Sequence, residues 1–419
     1  MQLRMGLALC LLFPALLAAD QEPKKGRVIH LKPGPDAQRE VQRALIRAKP
    51  DDVLELAAGT FEFNASLSLT VPNVTLRGQG MGKTILSFKK QDQGKEGLLV
   101  TADGFTAEDF TIVDSKGDGL KVNGARRVTF RRIEATWSEA AKETNGAYGL
   151  YPVQCKQVLI EECVASRASD AGIYVGQSQQ IIIRRCQATE NVAGIEVENS
   201  FDADVYDNEA VNNTGGILVF DLPDLPAKNG GRVRIFNNKV HANNHPNFAP
   251  KGNIVGTVPP GTGIMVMATD QVEVFKNKVQ DHRTANLSVI SYFMTQRPIQ
   301  DKEYDPYPEG VYVHDNEFER GGYDPAGEMG MILAALLGKP LPDILYDGCV
   351  NPKKLVNGEL PPELSLRLAR NGSATFASLG YDRSPILQFM LRKPKIERDA
   401  RRFEGEHPAL KPVLLGSIP

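Results

Sequence analysis

A glycine-led motif repeats along the chain as Gly149-Leu150-Tyr151, Gly172-Ile173-Tyr174-Val175, Gly194-Ile195-Glu196-Val197 and Gly216-Ile217-Leu218-Val219, at separations of 23, 22 and 22 residues. A second β-rich run follows each copy, as in Ile181-Ile182-Ile183-Arg184-Arg185-Cys186. Short alternating runs at this period are typical of the coils of a right-handed parallel β-helix, because propeller blades and helical repeats have longer periods. The motif therefore predicts an all-β solenoid.

Stacking of the coils predicts two ladders of like side chains. Leu150, Ile173, Ile195, Ile217 and Ile264 take equivalent inward positions and form the expected core. Asn208, Asn238, Asn277 and Asn316 follow the second runs and are expected at a turn, where their amides can bond to the backbone and to one another. Cys163 and Cys186 occupy the same rung as these asparagines. Their spacing fits either a disulfide or buried free thiols.

The ends of the chain depart from the repeat. Arg4 and the apolar run Met5–Ala19 predict a signal peptide over residues 1–19, hence export to the periplasm or the extracellular space. Asp36 is the expected N-cap of an amphipathic helix over residues 37–49 that closes the open end of a β-helix spanning 20–320. Residues 321–419 are expected to form a cap, helical over 328–337, and an irregular tail.

Composition limits the classes of partner. The chain has 49 Lys+Arg against 51 Asp+Glu, a net charge of −2, which gives no electrostatic reason to expect nucleic acid. After the N-terminal run no segment is apolar for long enough to predict a transmembrane helix. Hydrophobic residues make up 42% and aromatic residues 7% of the chain, so the core must be mainly aliphatic.

Several segments carry a resemblance to known families. The order Asp51-Asp52-Val53-Leu54-Glu55-Leu56, Gly59-Thr60-Phe61 and Thr75-Leu76-Arg77-Gly78-Gln79-Gly80 resembles the start of the pectate-lyase-like superfamily, and the glycine motifs are similar to exported bacterial proteins with parallel β-helix repeats. This resemblance implies the right-handed β-helix fold and a carbohydrate ligand. Tyr148-Gly149-Leu150-Tyr151-Pro152-Val153 also resembles a motif of mannuronan C5-epimerases, in which Tyr148 matches the catalytic tyrosine. Tyr151 and Val153 replace the aspartate and histidine of that motif.

The outward residues of the glycine strands form the candidate site. Alternate residues point to opposite faces and neighbouring rungs stand about 4.8 Å apart. The sequence therefore predicts one continuous outward patch, with a polar column at one edge and an acidic residue at the other. The patch comprises Lys121, Tyr151, Tyr174, Glu196 and Glu198, the polar column includes Asn199 and Asp221, and the other side is flanked by Asp170.

The patch fits two kinds of ligand. Tyrosine rings stack on sugar C–H surfaces, and amides and carboxylates bind hydroxyl groups, so an acidic or neutral polysaccharide is one expected partner. Lyase or epimerase chemistry would use Lys121, Tyr148 and Glu196 as the groups that neutralise the substrate carboxylate and transfer protons. Stacked Glu196, Glu198 and Asp221 would alternatively hold Ca²⁺, and no other cofactor or metal is assigned. A third interpretation is that all are simply solvated outward positions.

A non-enzymatic role remains as the alternative function. Insertions at residues 222–231 and 243–261 and the C-terminal tail could dock another exported envelope protein. His241 and His245 are four residues apart in a turn insertion, where surface-loop histidines are favoured over a metal site.

Overall fold

This computed structural model describes residues 26–416, so the predicted signal peptide over 1–19 lies outside the described residues. The described residues form 31 strands and three α-helices. In chain order the strands are β1 (Val28–Leu31), β2 (Val53–Leu56), β3 (Gly59–Glu62), β4 (Ala65–Leu69), β5 (Thr75–Arg77), β6 (Thr84–Ser87), β7 (Gln93–Val100), β8 (Thr106–Val113), β9 (Leu120–Asn123), β10 (Arg126–Thr136), β11 (Tyr148–Val153), β12 (Lys156–Glu161), β13 (Val164–Ser166), β14 (Ala171–Gly176), β15 (Gln179–Arg184), β16 (Gln187–Thr189), β17 (Ala193–Glu198), β18 (Phe201–Tyr206), β19 (Glu209–Val211), β20 (Gly215–Phe220), β21 (Gly231–Phe236), β22 (Lys239–His241), β23 (Thr262–Met267), β24 (Asp270–Phe275), β25 (Lys278–Gln280), β26 (Ala285–Ile290), β27 (Tyr312–His314), β28 (Glu317–Glu319), β29 (Ile344–Tyr346), β30 (Arg367–Ala369) and β31 (Phe376–Ser378). The helices are α1 (Ala37–Arg47), α2 (Gly327–Leu337) and α3 (Ile386–Leu391).

All paired strands are parallel, and each pairs with its counterpart in the next coil. The eleven-stranded sheet, here the site sheet, runs in the order β31-β29-β26-β23-β20-β17-β14-β11-β9-β7-β4. The remaining strands form a twenty-stranded sheet, here the back sheet, in which β12-β15-β18-β21 and β13-β16-β19-β22 pair rung by rung. The all-β solenoid predicted from the repeat is confirmed.

The core is the stack of inward side chains. Ile173, Ile195 and Ile217 are directly paired across β14, β17 and β20 and are fully buried. The first coils bury several phenylalanines among their leucines, including Phe61, Phe88 and Phe130. Because each buried aliphatic side chain contributes about 1.5–3 kcal/mol, this continuous column is the main source of stability.

The asparagine ladder forms as predicted. The Asn238 side-chain oxygen accepts from both the backbone N–H and the amide of Asn208 at 3.0 Å, and Asn277 accepts from Asn238 in the same way. Asn316 continues the ladder, which the structure extends to Asn371. Cys163 and Cys186 lie on its other end as buried free thiols.

Helix α1 closes the N-terminal end. Its buried residues Ala37, Val41 and Leu45 belong to the same apolar cluster as the first inward strands. Asp36 is the N-cap residue as predicted, but its side chain accepts no capping hydrogen bond and instead pairs with Arg39 at 3.2 Å.

The solenoid continues beyond residue 320, where the sequence repeat predicts its end. Strand β29 pairs with β26, β30 pairs with β27, and β31 pairs with β29. Helix α2 and long loops separate these strands, so their spacing hides the repeat. Helix α2 also differs from the predicted cap, because Leu333 and Leu337 pack on the outward residues Leu345 and Leu379 at the side of the solenoid.

The tail lies along the back sheet. The backbone N–H of Leu410 donates to Glu273 at 3.0 Å, and that of Val413 donates to Asp204 at 3.1 Å. These acceptors stand on β24 and β18, so the tail runs in an extended form across successive coils toward the N-terminal end. None of the described helices is long and apolar enough to cross a membrane.

Candidate functional site

The site sheet places the predicted residues side by side on its outward face. Tyr151 is paired with Lys121 of β9, Tyr174 with Glu196 of β17, and Gly176 with Glu198. The predicted adjacency of these residues is therefore correct. We name the tyrosine site as the set Lys121, Tyr148, Tyr151, Asp170, Tyr174, Glu196 and Glu198.

Three tyrosine rings form the centre of this site. The Tyr148 ring centroid lies 4.4 Å from that of Tyr151 and 4.6 Å from that of Tyr174, and the last two are 4.8 Å apart. Tyr148 and Tyr151 are half-buried, whereas Tyr174 is 3% exposed. Tyr148 and Tyr151 thus form the open side of the site and Tyr174 its floor.

Lys121 is the cation of the site, and it is already paired. Its ammonium lies 4.6 Å from the Tyr151 ring centroid, 3.1 Å from the Asp118 carboxylate and 3.8 Å from Glu96. Burial raises the pKa of Asp118, and the charge of Lys121 opposes that rise. An incoming anion must therefore compete with carboxylates of the protein for Lys121.

The carboxylates are buried, which corrects the expectation of an exposed stripe. Glu196 is 1%, Glu198 6%, and Asp170 6% exposed. The cause is the chain's own insertions: Val255 and Val258 from one and Tyr292 and Tyr304 from another pack with Tyr174 in one apolar cluster. Residues 243–261 and 291–308 thus cover the middle of the outward face, whereas Tyr148 and Tyr151 stay partly exposed.

Asp170 connects the open and covered parts. Its Oδ2 accepts from the Tyr148 hydroxyl at 3.4 Å and from the Asn253 side-chain amide at 3.1 Å, whereas Oδ1 has no partner among the described residues. Burial, then the nearby charge of Glu198, raises the pKa of Asp170 to about 7. Burial, then the charge of Asp170, raises the pKa of Tyr148 well above its usual range. Near neutral pH Tyr148 therefore keeps its proton while Asp170 titrates.

Glu196 and Glu198 lie deeper. Burial raises the pKa of Glu198 to about 7, an effect opposed by the hydrogen bond that the Tyr174 hydroxyl donates to it at 2.6 Å. Burial, then the charges of Asp170 and Glu198, raises the pKa of Glu196 well above its usual range. Glu196 Oε2 has no hydrogen-bond partner in the described part of the chain. Such unpartnered, perturbed carboxylates are characteristic of functional sites.

Two predicted binding residues are buried rather than exposed. The Asn199 amide donates to the carbonyls of Leu222 and Ala227, and its oxygen accepts from the Leu222 N–H at 2.7 Å, so it anchors the insertion at 222–231. Asp221 is 1% exposed, and burial raises its pKa well above the usual range. The expectation that both are exposed at the edge of the patch was wrong, because insertions lie over that edge.

The geometry does not support the calcium hypothesis at Glu196, Glu198 and Asp221. Within residues 26–416, the acidic, His or Cys group whose ligand atoms converge is Asp270, Asp305 and Glu309. There the Lys354 ammonium pairs with Asp305 at 2.9 Å and with Glu309 at 2.5 Å, so a cation already occupies the position. His241 pairs with Glu209 at 3.0 Å, and His245 contacts the Pro246 carbonyl, so these two histidines do not form a metal site together.

Sequence reasoning missed the contribution of the insertions. Asn253 reaches Asp170 from 83 residues away, and its own carbonyl accepts from the Arg297 guanidinium at 3.1 Å. Glu96, on β7, supplies the second carboxylate near Lys121. Neither Asn253 nor Glu96 belongs to the glycine motif. Residues of insertions follow no sequence period, so their position in the fold cannot be predicted from the repeat.

Comparisons with known proteins match the fold. The family model described as "Right handed beta helix region" matches residues 74–229. A probable pectinesterase/pectinesterase inhibitor of Arabidopsis thaliana is 29% identical over 131 residues, which are 28% of this chain and 25% of that protein, so the chain spans about a quarter of the length of this curated relative.

Two solved structures resemble this chain. The A-module of mannuronan C-5 epimerase AlgE4 from Azotobacter vinelandii superposes with a TM-score of 0.50 at 17% identity, covering 80% of this chain and 89% of that one. A DFA-IIIase from Arthrobacter chlorophenolicus gives a TM-score of 0.49 at 12% identity, over 83% and 99% of the two chains. At 17% identity the likeness to the epimerase module supports the fold and no activity. Together with the parallel coils, these matches identify the fold of this chain as a right-handed parallel β-helix.

Proposed function

We propose that this protein is exported and binds a saccharide at the tyrosine site. The supporting observation is the arrangement of two half-buried tyrosine rings, 4.4 Å apart, beside Lys121 and above buried carboxylates. Aromatic faces bind the apolar faces of sugar rings, and the adjacent polar groups can bind hydroxyls. Because the insertions cover the later rungs, the site suits the end or a short segment of a glycan.

The pairing of Lys121 bears on the charge of the sugar. A uronate carboxylate must displace Asp118 or Glu96 from the ammonium before it can pair with Lys121. Since the pKa of Asp118 is raised, a fall in pH weakens its hold on Lys121. Binding of an acidic glycan should therefore strengthen as pH falls, whereas binding of a neutral glycan should not depend on this exchange.

Proton transfer to or from the bound sugar is the finer hypothesis. A general base works best when its pKa lies near the working pH, and Asp170, with a pKa of about 7 and an unpartnered Oδ1, meets that condition. Tyr148 would act as the proton donor on the same side. With Lys121 pairing the substrate carboxylate, this set supports lyase chemistry on a uronic acid, in which Asp170 takes the C5 proton and Tyr148 protonates the leaving oxygen, whereas epimerisation would need a donor on the opposite face of the ring.

The test is a binding and activity panel with the folded chain. Alginate and pectate serve as acidic glycans and a dextran as a neutral one, each at about pH 5 and pH 8. We expect Tyr151→Ala to weaken glycan binding at least tenfold, and the matched control Tyr206→Ala, a half-buried tyrosine on the back sheet, to leave it unchanged. Asp170→Asn should abolish product formation while retaining binding. Absence of binding to every glycan, or equal loss in the control, would refute the proposal.

The alternative of a docking scaffold receives less support. The insertions at 222–231 and 243–261 and the tail make their contacts with the solenoid itself, through Asn199, Asp170 and Glu273. The surfaces that this alternative assigned to another protein are thus at least partly occupied by the chain. A partner recovered in a pull-down and lost on deleting residues 404–419 would revive it.

A further inference from the structure

A cavity lies on the same outward face as the tyrosine site, nearer the C-terminal end. Its volume is about 570 Å³, and it lies between the site sheet, the 243–261 insertion and helices α2 and α3. Successive rungs place Phe220 beside Glu198 and Met267 beside Phe220, so the outward column changes from acidic to apolar where the cavity begins. The cavity is thus distinct from the tyrosine site.

The lining of this cavity is aliphatic and adaptable. Its wall includes Met265, Met267, Met294, Met329, Ile332 and Ile386. Methionine side chains are flexible and polarisable, and they are common where a surface must fit ligands of variable shape. Four thioethers around one space therefore favour a flexible apolar ligand over a rigid or polar one.

The buried polar groups in the cavity wall are hydrogen-bonded within the protein. Asp347, the buried carboxylate there, accepts from the Ser291 N–H at 2.7 Å, from the Ser291 hydroxyl at 2.6 Å and from the Cys349 N–H at 3.0 Å. No polar side-chain atom of the described lining is both buried and without a partner. A sugar would leave its hydroxyls unpaired in such a space, which is unfavourable.

The size of the cavity argues against a packing defect. Protein interiors contain few voids larger than a water molecule, whereas ligand pockets typically occupy about 300–1,000 Å³. The volume of this cavity, about 570 Å³, lies in the range of ligand pockets.

The helices that form the wall are apolar on their other side as well. Met331 of α2 is 63% exposed, and Leu387 and Leu391 of α3 are 66% and 82% exposed. Helix α2 has no charged residue after Glu328. A helix that is apolar all round is normally covered, so these residues are an independent sign that apolar material contacts this end of the molecule.

We propose that this cavity binds a single long alkyl chain, such as that of a lipid, with α2 and α3 forming its rim. The chain lies among the methionines, and its polar head remains outside, since apolar side chains form most of the lining. The alkyl chain could come from a dispersed amphiphile or from a bilayer. The inference does not depend on glycan binding at the tyrosine site.

The first test is a fluorescence titration of the full chain with cis-parinaric acid. We expect saturable binding of one molecule per chain. Ile332→Trp fills the cavity and should weaken binding at least tenfold, whereas Ile46→Trp, at a 68% exposed position of α1, should leave it unchanged. If Ile332→Trp fails to fold by circular dichroism, Ile254→Trp on the opposite wall replaces it.

The second arm distinguishes the source of the chain. Flotation with phosphatidylcholine vesicles, with and without phosphatidylglycerol, measures binding to a bilayer. Loss of flotation in the double variant Leu387→Ser, Leu391→Ser, with parinaric acid binding retained, would identify the bilayer as the source. No flotation of the parent chain, with parinaric acid binding blocked by tryptophan, would identify a dispersed amphiphile. Absence of saturable binding, or binding unaffected by the cavity-filling variant, would overturn the proposal.

Discussion

The Tyr174 hydroxyl donates a 2.6 Å hydrogen bond to Glu198 across a glycine of its own strand. A Cβ atom on that glycine, Gly176, would lie 2.0 Å from the Tyr174 oxygen. The absence of a side chain at 176 is therefore what lets the tyrosine fold over its strand and reach the next coil. This contact fixes the floor of the tyrosine site.

Gly176→Ala should displace the Tyr174 ring and break this hydrogen bond. We expect a loss of about 1–3 kcal/mol in the free energy of unfolding, because a buried carboxylate loses its donor. Urea denaturation measures that change. The control is Gly34→Ala, where no atom lies within 4 Å of the added Cβ, and it should change the free energy of unfolding by no more than about 0.5 kcal/mol. Gly230→Ala is unsuitable as a control, because its Cβ would lie 2.6 Å from the Asp221 carboxylate. Equal losses at both positions would contradict this role of Gly176.

Tyr174→Phe should raise the pKa of Glu198 further above 7. The hydroxyl donates to the carboxylate, and that bond favours the charged form against the effect of burial. Carbon-13 NMR of labelled glutamate side chains follows the titration. Tyr206→Phe, whose hydroxyl contacts Arg184 on the back sheet, is the control and should leave the Glu198 titration in place. An unchanged or lowered Glu198 pKa in Tyr174→Phe would refute the assignment.

Stability should fall as pH rises from about 4 to about 7. Asp170 and Glu198 have folded-state pKa values of about 7, above their ordinary values, so the folded protein holds protons that the unfolded chain has released. Their contribution is complete below about pH 4 and is lost as pH rises through about 7. The buried His282 has the opposite effect on stability, since its pKa is lowered to about 4. It is outnumbered by the buried carboxylates with raised pKa values, which also include Asp270 and Asp347.

Thermal unfolding at about pH 5 and pH 7.5 tests this dependence. We expect the melting temperature to be at least about 3 °C higher at the lower pH. In Asp170→Asn the difference between the two pH values should shrink, because the neutral amide does not titrate. A melting temperature that rises with pH in the parent chain, or an unaltered difference in Asp170→Asn, would contradict this account.

The middle of the fold was predictable because one glycine begins each coil. Inward positions such as Ile173, Ile195 and Ile217 stack directly, so a single spacing determines strand, register and core together. Where insertions interrupt the spacing, as between β28 and β29, the repeat disappears from the sequence although the coil continues. Periodicity therefore predicted the coils up to residue 320 and missed those after it.

The candidate site was predictable in register but not in burial. Alternation along each strand correctly placed Tyr151, Tyr174 and Glu196 side by side. The environment of these residues depends on residues 243–261 and 291–308, which fold back over the sheet. Such contacts have no local signal, which explains why Asn253 was missed and why Glu196 was expected in solvent.

We expect the asparagine ladder to contribute strongly to the free energy of unfolding, because each asparagine is hydrogen-bonded to both neighbouring coils. Asn238 accepts two hydrogen bonds from Asn208, and it donates through its backbone and its amide to Asn277 and through the amide to the Val205 carbonyl. Asn238→Ala leaves buried donors and acceptors on both neighbouring coils without partners. Since each unsatisfied buried group costs about 1–3 kcal/mol, we expect a loss of about 3 kcal/mol or more in urea denaturation. Asn123→Ala, at an exposed strand end, is the matched control and should cost less than about 0.5 kcal/mol. A loss of similar size in both variants would mean that the ladder is only a consequence of coil stacking, whereas a selective loss at Asn238 would show that the amide stack holds adjacent coils together.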